Sequence, residues 1–271
     1  MVVRRKPGSQ LLPALAILVT AAAVGFGVVA ATGIGPSYSE LRARINSQNA
    51  VPACPPLVFF GIRGSGETAK DYYGYGQIIL SMRNYLQDLV PAMGSEPVSY
   101  PATAVPWPDP RYKVAYGNSV SRGVATVMTM YAALRSWCPR TRLVLAGYSQ
   151  GADVAYRVSS LLPRAARSRV IIAAFGDPHF NPVQSWADAG SYHRPLYGIL
   201  DTGWNEPAHR WSGSYAPHVR SWCLHGDDIC NATGLRAATC AVSCTHETGY
   251  ISSGYTRDAA FWAYRTWTKL S

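Results

Sequence analysis

The chain alternates short, continuous apolar runs with segments in which apolar residues recur every three or four positions. Residues 57–60, 143–146 and 170–175 are continuous apolar runs. Such runs are typical of strands that are covered on both faces of a parallel sheet. Weaker signals predict two more strands, near residues 97–101 and 218–223.

Helical periodicity lies between these strands. Four sets of apolar residues recur at helical spacing, and each set predicts one buried helix face: Ile79, Met82, Leu86 and Leu89; Val120, Val124, Val127, Tyr131 and Leu134; Val154, Ala155, Val158, Leu161 and Leu162; and Ala260, Phe261, Tyr264 and Trp267. Strands that alternate with helices predict a single α/β domain, in which a mainly parallel central sheet is covered by helices on both faces.

The first 31 residues predict a signal peptide or an uncleaved membrane anchor. Arg4, Arg5 and Lys6 precede a stretch, residues 11–35, that carries no charge. This order is typical of a secretory leader, and the small residues at 29–31 offer a cleavage site. The apolar stretch is longer than most leaders need, so anchoring stays open as the alternative. We favour cleavage, interpret residues 32–50 as a polar spacer, and expect the folded domain at residues 51–271.

The formal net charge of +10 does not indicate a nucleic-acid-binding protein. The basic residues are scattered and form no dense run of the kind that binds phosphate backbones. We therefore expect no nucleic-acid partner. We expect a monomer that contacts a membrane only if the N-terminal segment is retained.

Six cysteines predict disulfide bonds, because an even number in an exported chain is typical of an oxidised protein. Spacing favours two local pairs, Cys223 with Cys230 and Cys240 with Cys244, which leaves Cys54 with Cys138. The alternative is a metal cluster built from Cys230, Cys240, Cys244 and His246. Its spacing is poor for zinc, so we expect no metal there.

The pentapeptide at residues 147–151 has the pattern G-x-S-x-G and stands between a predicted strand and a predicted helix. In this setting the pattern predicts a sharp turn that exposes a nucleophilic serine, Ser149, at the carboxyl edge of the sheet. The backbone N–H of Gln150 then lies at a helix N-terminus, where it favours a developing oxyanion. A glycine-rich chain can also match this pattern by chance, but the predicted strand before it and the predicted helix after it favour a serine hydrolase.

A serine nucleophile needs a histidine base that is oriented by a carboxylate, in the chain order nucleophile, acid, histidine. His246 is the histidine that follows the pair Asp227 and Asp228, which come after the last predicted strand. We therefore predict His246 as the base. Position alone does not separate Asp227 from Asp228, and Asp177, which also ends a predicted strand, is a further candidate acid.

Ser65 is the candidate for the second oxyanion donor. It lies in the glycine-rich loop at residues 63–66, directly after the first predicted strand. Its backbone N–H and its hydroxyl can both donate to an oxyanion, although a loop serine also serves simply to form a turn.

Residues 179–217 are long, aperiodic and rich in aromatic side chains. They form either an aromatic wall for a substrate or a small additional core, and we favour the structural interpretation.

Taken together, these motifs resemble the cutinase family of serine esterases, in its actinobacterial branch. The matching landmarks cover nearly all of the chain from residue 51 onward: Cys54, R-G-S-G-E-T at 63–68, S-V-S-R-G at 119–123, C-P-R-T-R-L-V-L-A-G-Y-S-Q-G-A at 138–152, F-G-D at 175–177, C-L-H-G-D-D-I-C at 223–230, His246 and Tyr250. The resemblance implies the following assignments: Ser149 as nucleophile, Asp227 as acid, His246 as base, Ser65 with Gln150 as the oxyanion hole, and disulfides Cys54–Cys138 and Cys223–Cys230. Two features depart from compact fungal cutinases, namely the longer aromatic stretch and the additional pair Cys240 and Cys244.

The function expected from these residues is hydrolysis of carboxylic esters through an acyl-enzyme, without a metal or organic cofactor. The expected substrates are cutin-like polyester, lipid or short-chain acyl esters. The alternatives are deacetylation of a polysaccharide such as acetylated xylan, or lipase or thioesterase action on envelope lipids. A protein that keeps the scaffold only to bind envelope material is an alternative of another class.

Overall fold

The computed structural model describes residues 36, 38–46, 52–105, 109–187, 196–203, 205–215, 217–232 and 245–270. The predicted leader at 1–31 and the predicted pair Cys240 and Cys244 lie outside these residues. Of the helices within the described ranges, none has the length and apolar character required to cross a bilayer.

The centre of the molecule is a sheet of five parallel strands, in the order β2-β1-β3-β4-β5. Their bounds are β1 Leu57–Ile62, β2 Gly94–Pro97, β3 Arg142–Tyr148, β4 Val170–Phe175 and β5 Val219–Trp222. The pairing aligns the carboxyl ends of three neighbours, because Tyr148 pairs with Phe175 and Phe175 pairs with Trp222. Residues that follow these strands therefore emerge side by side at one edge of the sheet.

Helices cover both faces of this sheet, which confirms the predicted α/β architecture. In chain order they are α1 Tyr38–Asn46, α2 Gln77–Leu89, α3 Lys113–Trp137, α4 Gln150–Leu161, α5 Arg164–Arg167, α6 Ile199–Gly203, α7 Tyr250–Ser252 and α8 Tyr255–Lys269. A short π-helical turn, Thr245–Gly249, precedes α7.

Alternating side chains of the strands divide the apolar core into two layers. Val58 and Phe60 of β1 face one layer, together with the buried sides of α1, α3 and α4. Phe59 and Val144 face the other layer, which is covered by α2 and α8. Every residue of β1 and β4 is buried, so the continuous apolar runs in the sequence identified both strands correctly.

The second strand lies at Gly94–Pro97 rather than near residues 97–101, so the predicted position is wrong by several residues. This strand reads Gly-Ser-Glu-Pro and has no apolar pattern to detect. Its polar side chains are nevertheless buried, and they are satisfied from neighbouring elements, because Arg83 donates to Ser95 at 3.1 Å and Arg44 pairs with Glu96 at 3.1 Å.

The last helix is present, but its predicted apolar face is only partly correct. Phe261 is 43% exposed, whereas the fully buried positions are Ala259, Ala260 and Ala263. Small side chains let α8 approach the sheet and α2 closely. In this helix the alanines therefore indicate the buried face more reliably than an aromatic residue at helical spacing.

Residues 38–46 differ from the predicted polar spacer, because they form α1. Leu41 and Ile45 are fully buried in the layer that contains α3 and β1. Ile45 contacts β2 so closely that a Cβ on Gly94 would lie 2.5 Å from its Cγ2 atom. Among residues 39–45, whose burial the structure describes, only Leu41 and Ile45 are strongly apolar and buried, so the sequence pattern is too sparse to predict this helix.

The described part of the aromatic segment has a structural role, as predicted, but it packs into the main core rather than forming a small additional one. Trp186, Trp211 and Tyr215 are buried in the same apolar layer as α3 and α4. Trp211 also meets the ring of Tyr156 edge-on at 5.0 Å. Tyr192 and Trp204 lie outside the described residues.

Leu41→Ala tests whether α1 belongs to the cooperatively folded unit. Removing a fully buried leucine side chain should lower the free energy of unfolding by about 2–5 kcal/mol. Leu161, which the helical periodicity wrongly places on the buried face of α4, is 58% exposed. Leu161→Ala is therefore the matched control and should lower the free energy of unfolding by less than about 1 kcal/mol. Chemical denaturation followed by circular dichroism measures both. Equal effects of the two substitutions would mean that α1 does not contribute to the stability of the domain.

Candidate active site

Ser149 occupies a strained turn between β3 and α4. Its backbone angles are φ 53° and ψ −119°, which a residue with a Cβ rarely adopts. The turn is tight enough to require glycine on both sides, since a Cβ on Gly147 would lie 2.2 Å from the carbonyl oxygen of Gly151. A Cβ on Gly151 would lie 2.2 Å from the carbonyl oxygen of Ile62. The backbone N–H of Ser149 donates to Phe175 at 2.9 Å, which fixes the turn to β4.

His246 lies in the π-helical turn and packs over the carboxyl ends of β3 and β4. Its ring is 4.8 Å from the ring of Tyr148, the residue before Ser149. The hydroxyl of Tyr148 donates to the backbone oxygen of His246 at 2.9 Å. A Cβ on Gly176, which follows β4, would lie 2.7 Å from Cε1 of the imidazole. The imidazole therefore lies at the same edge of the sheet as the turn that carries Ser149.

Asp227 is the carboxylate that contacts this imidazole. Both of its oxygens lie 2.9 Å from Nδ1 of His246, and its side chain is fully buried. Tyr250 donates its hydroxyl to Oδ2 at 2.5 Å, and the backbone N–H of Ile229 donates to Oδ1 at 2.9 Å. Burial opposes ionisation, but His246 and these donors outweigh it and hold the pKa of Asp227 below its ordinary value.

The other two candidate acids have different surroundings. Asp228 is partly exposed, and burial together with the neighbouring charge of Asp227 raises its pKa. Asp177 contacts Nδ1 of His209 at 2.8 Å. The geometry thus separates Asp227 from Asp228, which the sequence position does not.

Two predicted disulfides are present. Cys223–Cys230 brackets the loop that carries Asp227, and Cys54–Cys138 connects the start of β1 to the end of α3. Because Cys230 is bonded to Cys223, the alternative zinc cluster loses one of its thiolates. Disulfides of this kind fit a protein that folds outside the reducing cytosol.

Ser65 and Gln150 are brought together by a buried hydrogen-bond network. The side-chain amide of Gln150 donates to the hydroxyl of Ser65 at 3.1 Å and accepts from the hydroxyl of Ser119 at 2.8 Å. Ser65 in turn donates to the backbone oxygen of Thr103 at 3.0 Å. Gln150 begins α4, so its backbone N–H is among the first in the helix, which have no partner within the helix. Both predicted donors therefore lie beside the turn at Ser149.

Glu67 is a residue of this site that the sequence analysis does not single out. Its carboxylate accepts from the backbone N–H of Gly64 at 2.6 Å and of Gln77 at 3.0 Å, so it anchors the loop that carries Ser65. Burial raises the pKa of Glu67, although both N–H donors oppose the shift. Arg63 supports the same loop by donating to the backbone oxygen of Glu67 at 2.8 Å. The only sequence signal was the motif R-G-S-G-E-T itself.

The architecture is that of an α/β-hydrolase, and comparison with known proteins narrows it further. The chain aligns over 79% of its length with 99% of a crystallised acetylxylan esterase, with a TM-score of 0.59 and 24% identity. It also aligns over 80% of its length with 97% of a cutinase-like protein from Cryptococcus sp., with a TM-score of 0.60 and 18% identity. At these identities the likeness establishes the fold.

Sequence comparison establishes the family. The cutinase family profile matches residues 53–266. Acetylxylan esterase 2 of Talaromyces purpureogenus is 28% identical over 222 residues, which cover 76% of this chain and 86% of that protein. Carboxylesterase Culp1 of Mycobacterium tuberculosis is 28% identical over 173 residues, which cover 64% of each chain. The chain belongs to the cutinase family and is a carboxylic ester hydrolase.

Asp227→Asn tests the buried charge through the pH dependence of stability. A carboxyl whose pKa is lowered by folding stabilises the protein above its unfolded pKa of about 3.9, and this contribution is lost as the pH falls through the folded pKa. The difference in free energy of unfolding between wild type and variant should therefore be largest above about pH 5 and shrink on acidification. Urea denaturation at several pH values measures it.

The matched control is Asp258→Asn, because the side chain of Asp258 is 57% exposed. That substitution should give a small difference that hardly varies with pH. A pH-independent difference for Asp227→Asn would contradict the lowered pKa.

Proposed function

We propose that Ser149, His246 and Asp227 form a catalytic triad that hydrolyses carboxylic esters through an acyl-enzyme. The observation that carries this proposal is the contact of Asp227 with Nδ1 of His246, whose ring packs on Tyr148, the residue before the strained turn at Ser149. With Nδ1 facing the carboxylate, Nε2 is the nitrogen that remains for the serine hydroxyl.

The proposed steps follow from these positions. His246 takes the proton of Ser149 through Nε2 while the serine oxygen attacks the ester carbon. The imidazolium that forms is stabilised by the ionised Asp227, which holds the ring in one orientation. His246 then gives the proton to the leaving alcohol. In the second half, His246 activates a water molecule that releases the acid and restores Ser149.

Ser65 and Gln150 are the proposed oxyanion donors. The backbone N–H of Gln150 is aided by the dipole of α4. The Ser65 hydroxyl has one proton, which it donates to Thr103 in this structure. It therefore has to turn from Thr103 to the oxyanion as the tetrahedral intermediate forms. Gln150 Nε2 lies 3.5 Å from the same oxygen of Thr103 and can take over part of that contact.

The proposed substrates are cutin-like polyester, lipid or short-chain acyl esters. Acetylated polysaccharide is the second candidate, because the relative from Talaromyces purpureogenus that spans 76% of this chain is an acetylxylan esterase. We further propose that the protein is a monomer that works outside the cell, either released by cleavage of the leader or held at the membrane by it. The two disulfides support a location of this kind.

Ser149→Ala should lower the turnover of a short-chain p-nitrophenyl ester by about 10⁶-fold, because the triad acts as a unit. A fluorophosphonate probe should label the wild type and leave the variant unlabelled. Ser160→Ala is the matched control, since Ser160 is an exposed serine of the same helix. It should keep both activity and labelling.

The wild type and Ser149→Ala should then be compared on a panel of acyl chain lengths, a polyester film and acetylated xylan. The substrate with the highest kcat/KM defines the class. Near-normal activity of Ser149→Ala would refute the triad, and no turnover of any ester by the wild type would favour a binding protein on a hydrolase scaffold.

Ser65→Ala separates an oxyanion donor from a residue that only shapes the loop. Loss of one such donor should lower kcat by about 10²–10³-fold with little change in KM, since the hydroxyl interacts most strongly with the transition state. Ser121→Ala, at an exposed position of α3, is the control. Steady-state kinetics of both variants measure the effect. An unchanged kcat for Ser65→Ala would assign the hydroxyl a structural role alone.

A further inference from the structure

A second cluster of buried ionisable side chains lies outside the proposed triad. Asp153 of α4 and His179 and His209 of the segment that follows β4 present ligand atoms that all lie within 4.8 Å of one another. All three residues are less than 5% exposed. Glu206 lies beside the group: its Oε2 is 3.6 Å from Nε2 of His179, and its Oε1 pairs with Lys113 at 2.9 Å. The proposed ester hydrolysis uses none of these residues.

His179 is the unusual member of this cluster. It is 3% exposed, and both of its ring nitrogens are buried without a hydrogen-bond partner among the described residues. Burying a polar group without a hydrogen-bond partner costs free energy of folding. The unpartnered ring nitrogens of His179 therefore indicate a ligand that the protein chain itself does not supply. Its Nε2 is directed toward the carboxylates of Asp153 and Glu206, at 3.8 and 3.6 Å.

The two contacts of His179 are too long for direct hydrogen bonds and leave room for a metal ion between the ligand atoms. Nε2 of His209 lies 3.4 Å from Oδ1 of Asp153, and the two contacts of His179 are longer. Ligands at about 2.0–2.1 Å from a tetrahedral zinc ion lie roughly 3.3 Å from one another. Imidazole nitrogens combined with carboxylate oxygens are also ligands that zinc accepts.

The groups around the cluster would orient these ligands. Nδ1 of His209 contacts Asp177 at 2.8 Å, which leaves Nε2 for a metal and gives the carboxylate–histidine–metal arrangement. Asp177 also accepts from the backbone N–H of His179 at 2.9 Å. Arg157 donates to Asp153 at 2.7 and 3.2 Å and holds that carboxylate in place.

We propose that Asp153, His179 and His209 form a structural zinc site. The three buried side chains bind the ion, and Glu206, whose Oε2 lies 3.6 Å from Nε2 of His179, is the side chain nearest to the remaining coordination position. The ion connects the start and the end of the segment that follows β4 to α4, the helix that begins next to Ser149. The site therefore stabilises the scaffold around the proposed nucleophile without entering the ester chemistry.

The test uses the full chain without a histidine tag. A chelator first removes bound metal, and the protein is then titrated with Zn²⁺ in the presence of a chromophoric chelator that competes for the ion. The wild type should bind one equivalent, and His179→Gln should bind at least about tenfold more weakly. His218→Gln is the matched control, because His218 is a buried histidine outside the cluster. Ser149→Ala should bind zinc like the wild type, so failure of the zinc site and failure of the proposed triad are distinguishable.

Thermal unfolding gives a second measurement that does not depend on activity. Zinc at a free concentration of about 100 times the wild-type Kd should raise the Tm of the wild type and of His218→Gln by about 5–10 °C, and raise that of His179→Gln by no more than about half as much. Circular dichroism without zinc checks that His179→Gln is folded. If the wild type binds Zn²⁺ no more tightly than His179→Gln, the proposal is overturned, and the cluster is an ion-pair network in which a protonated His209 balances the carboxylates.

Discussion

The aligned carboxyl ends of β3, β4 and β5 are the constraint on which the rest of the site depends. Parallel strands all end at the same edge, and their register brings the residue after β3 next to the residue after β4. Ser149 and Gly176 therefore lie beside each other, and Gly176 leaves room for the ring of His246. A shift of β3 by one residue would turn its side chains to the opposite faces and remove the turn from this place.

A buried negative charge is the second requirement of this arrangement. An isolated carboxylate in the interior would take up a proton, and a neutral Asp227 would not stabilise an imidazolium. The phenol of Tyr250, the N–H of Ile229 and the imidazole of His246 keep it ionised. Ile229 belongs to the same loop as Asp227, whereas His246 and Tyr250 come from residues 245–252, and the Cys223–Cys230 bond holds the loop where they converge.

Much of this could be predicted from the sequence because the relevant patterns are local. Continuous apolar runs defined β1, β3 and β4, and the motif around Ser149 defined the turn that the backbone angles show. The pairing of His246 with Asp227 needed the additional rule of chain order, and position alone did not separate Asp227 from Asp228.

The parts that were missed depend on long-range contacts. Strand β2 consists of polar residues that are buried only because Arg44 and Arg83 approach them. Glu67 acts through backbone groups of Gly64 and Gln77, and the motif R-G-S-G-E-T does not reveal these contacts. The cluster around His179 joins residues from three places in the chain whose spacing matches no metal-binding motif.

The helix α1 has a practical consequence for how the protein is produced. The cutinase family profile begins at residue 53, which invites an expression design that starts there. Such a truncation would remove α1 and uncover β2, the terminal strand of the sheet, together with the apolar surface that Leu41 and Ile45 bury. An uncovered terminal strand is a template for pairing between molecules. Self-association of a shortened product would therefore reflect the missing helix rather than an intrinsic tendency of the enzyme to oligomerise.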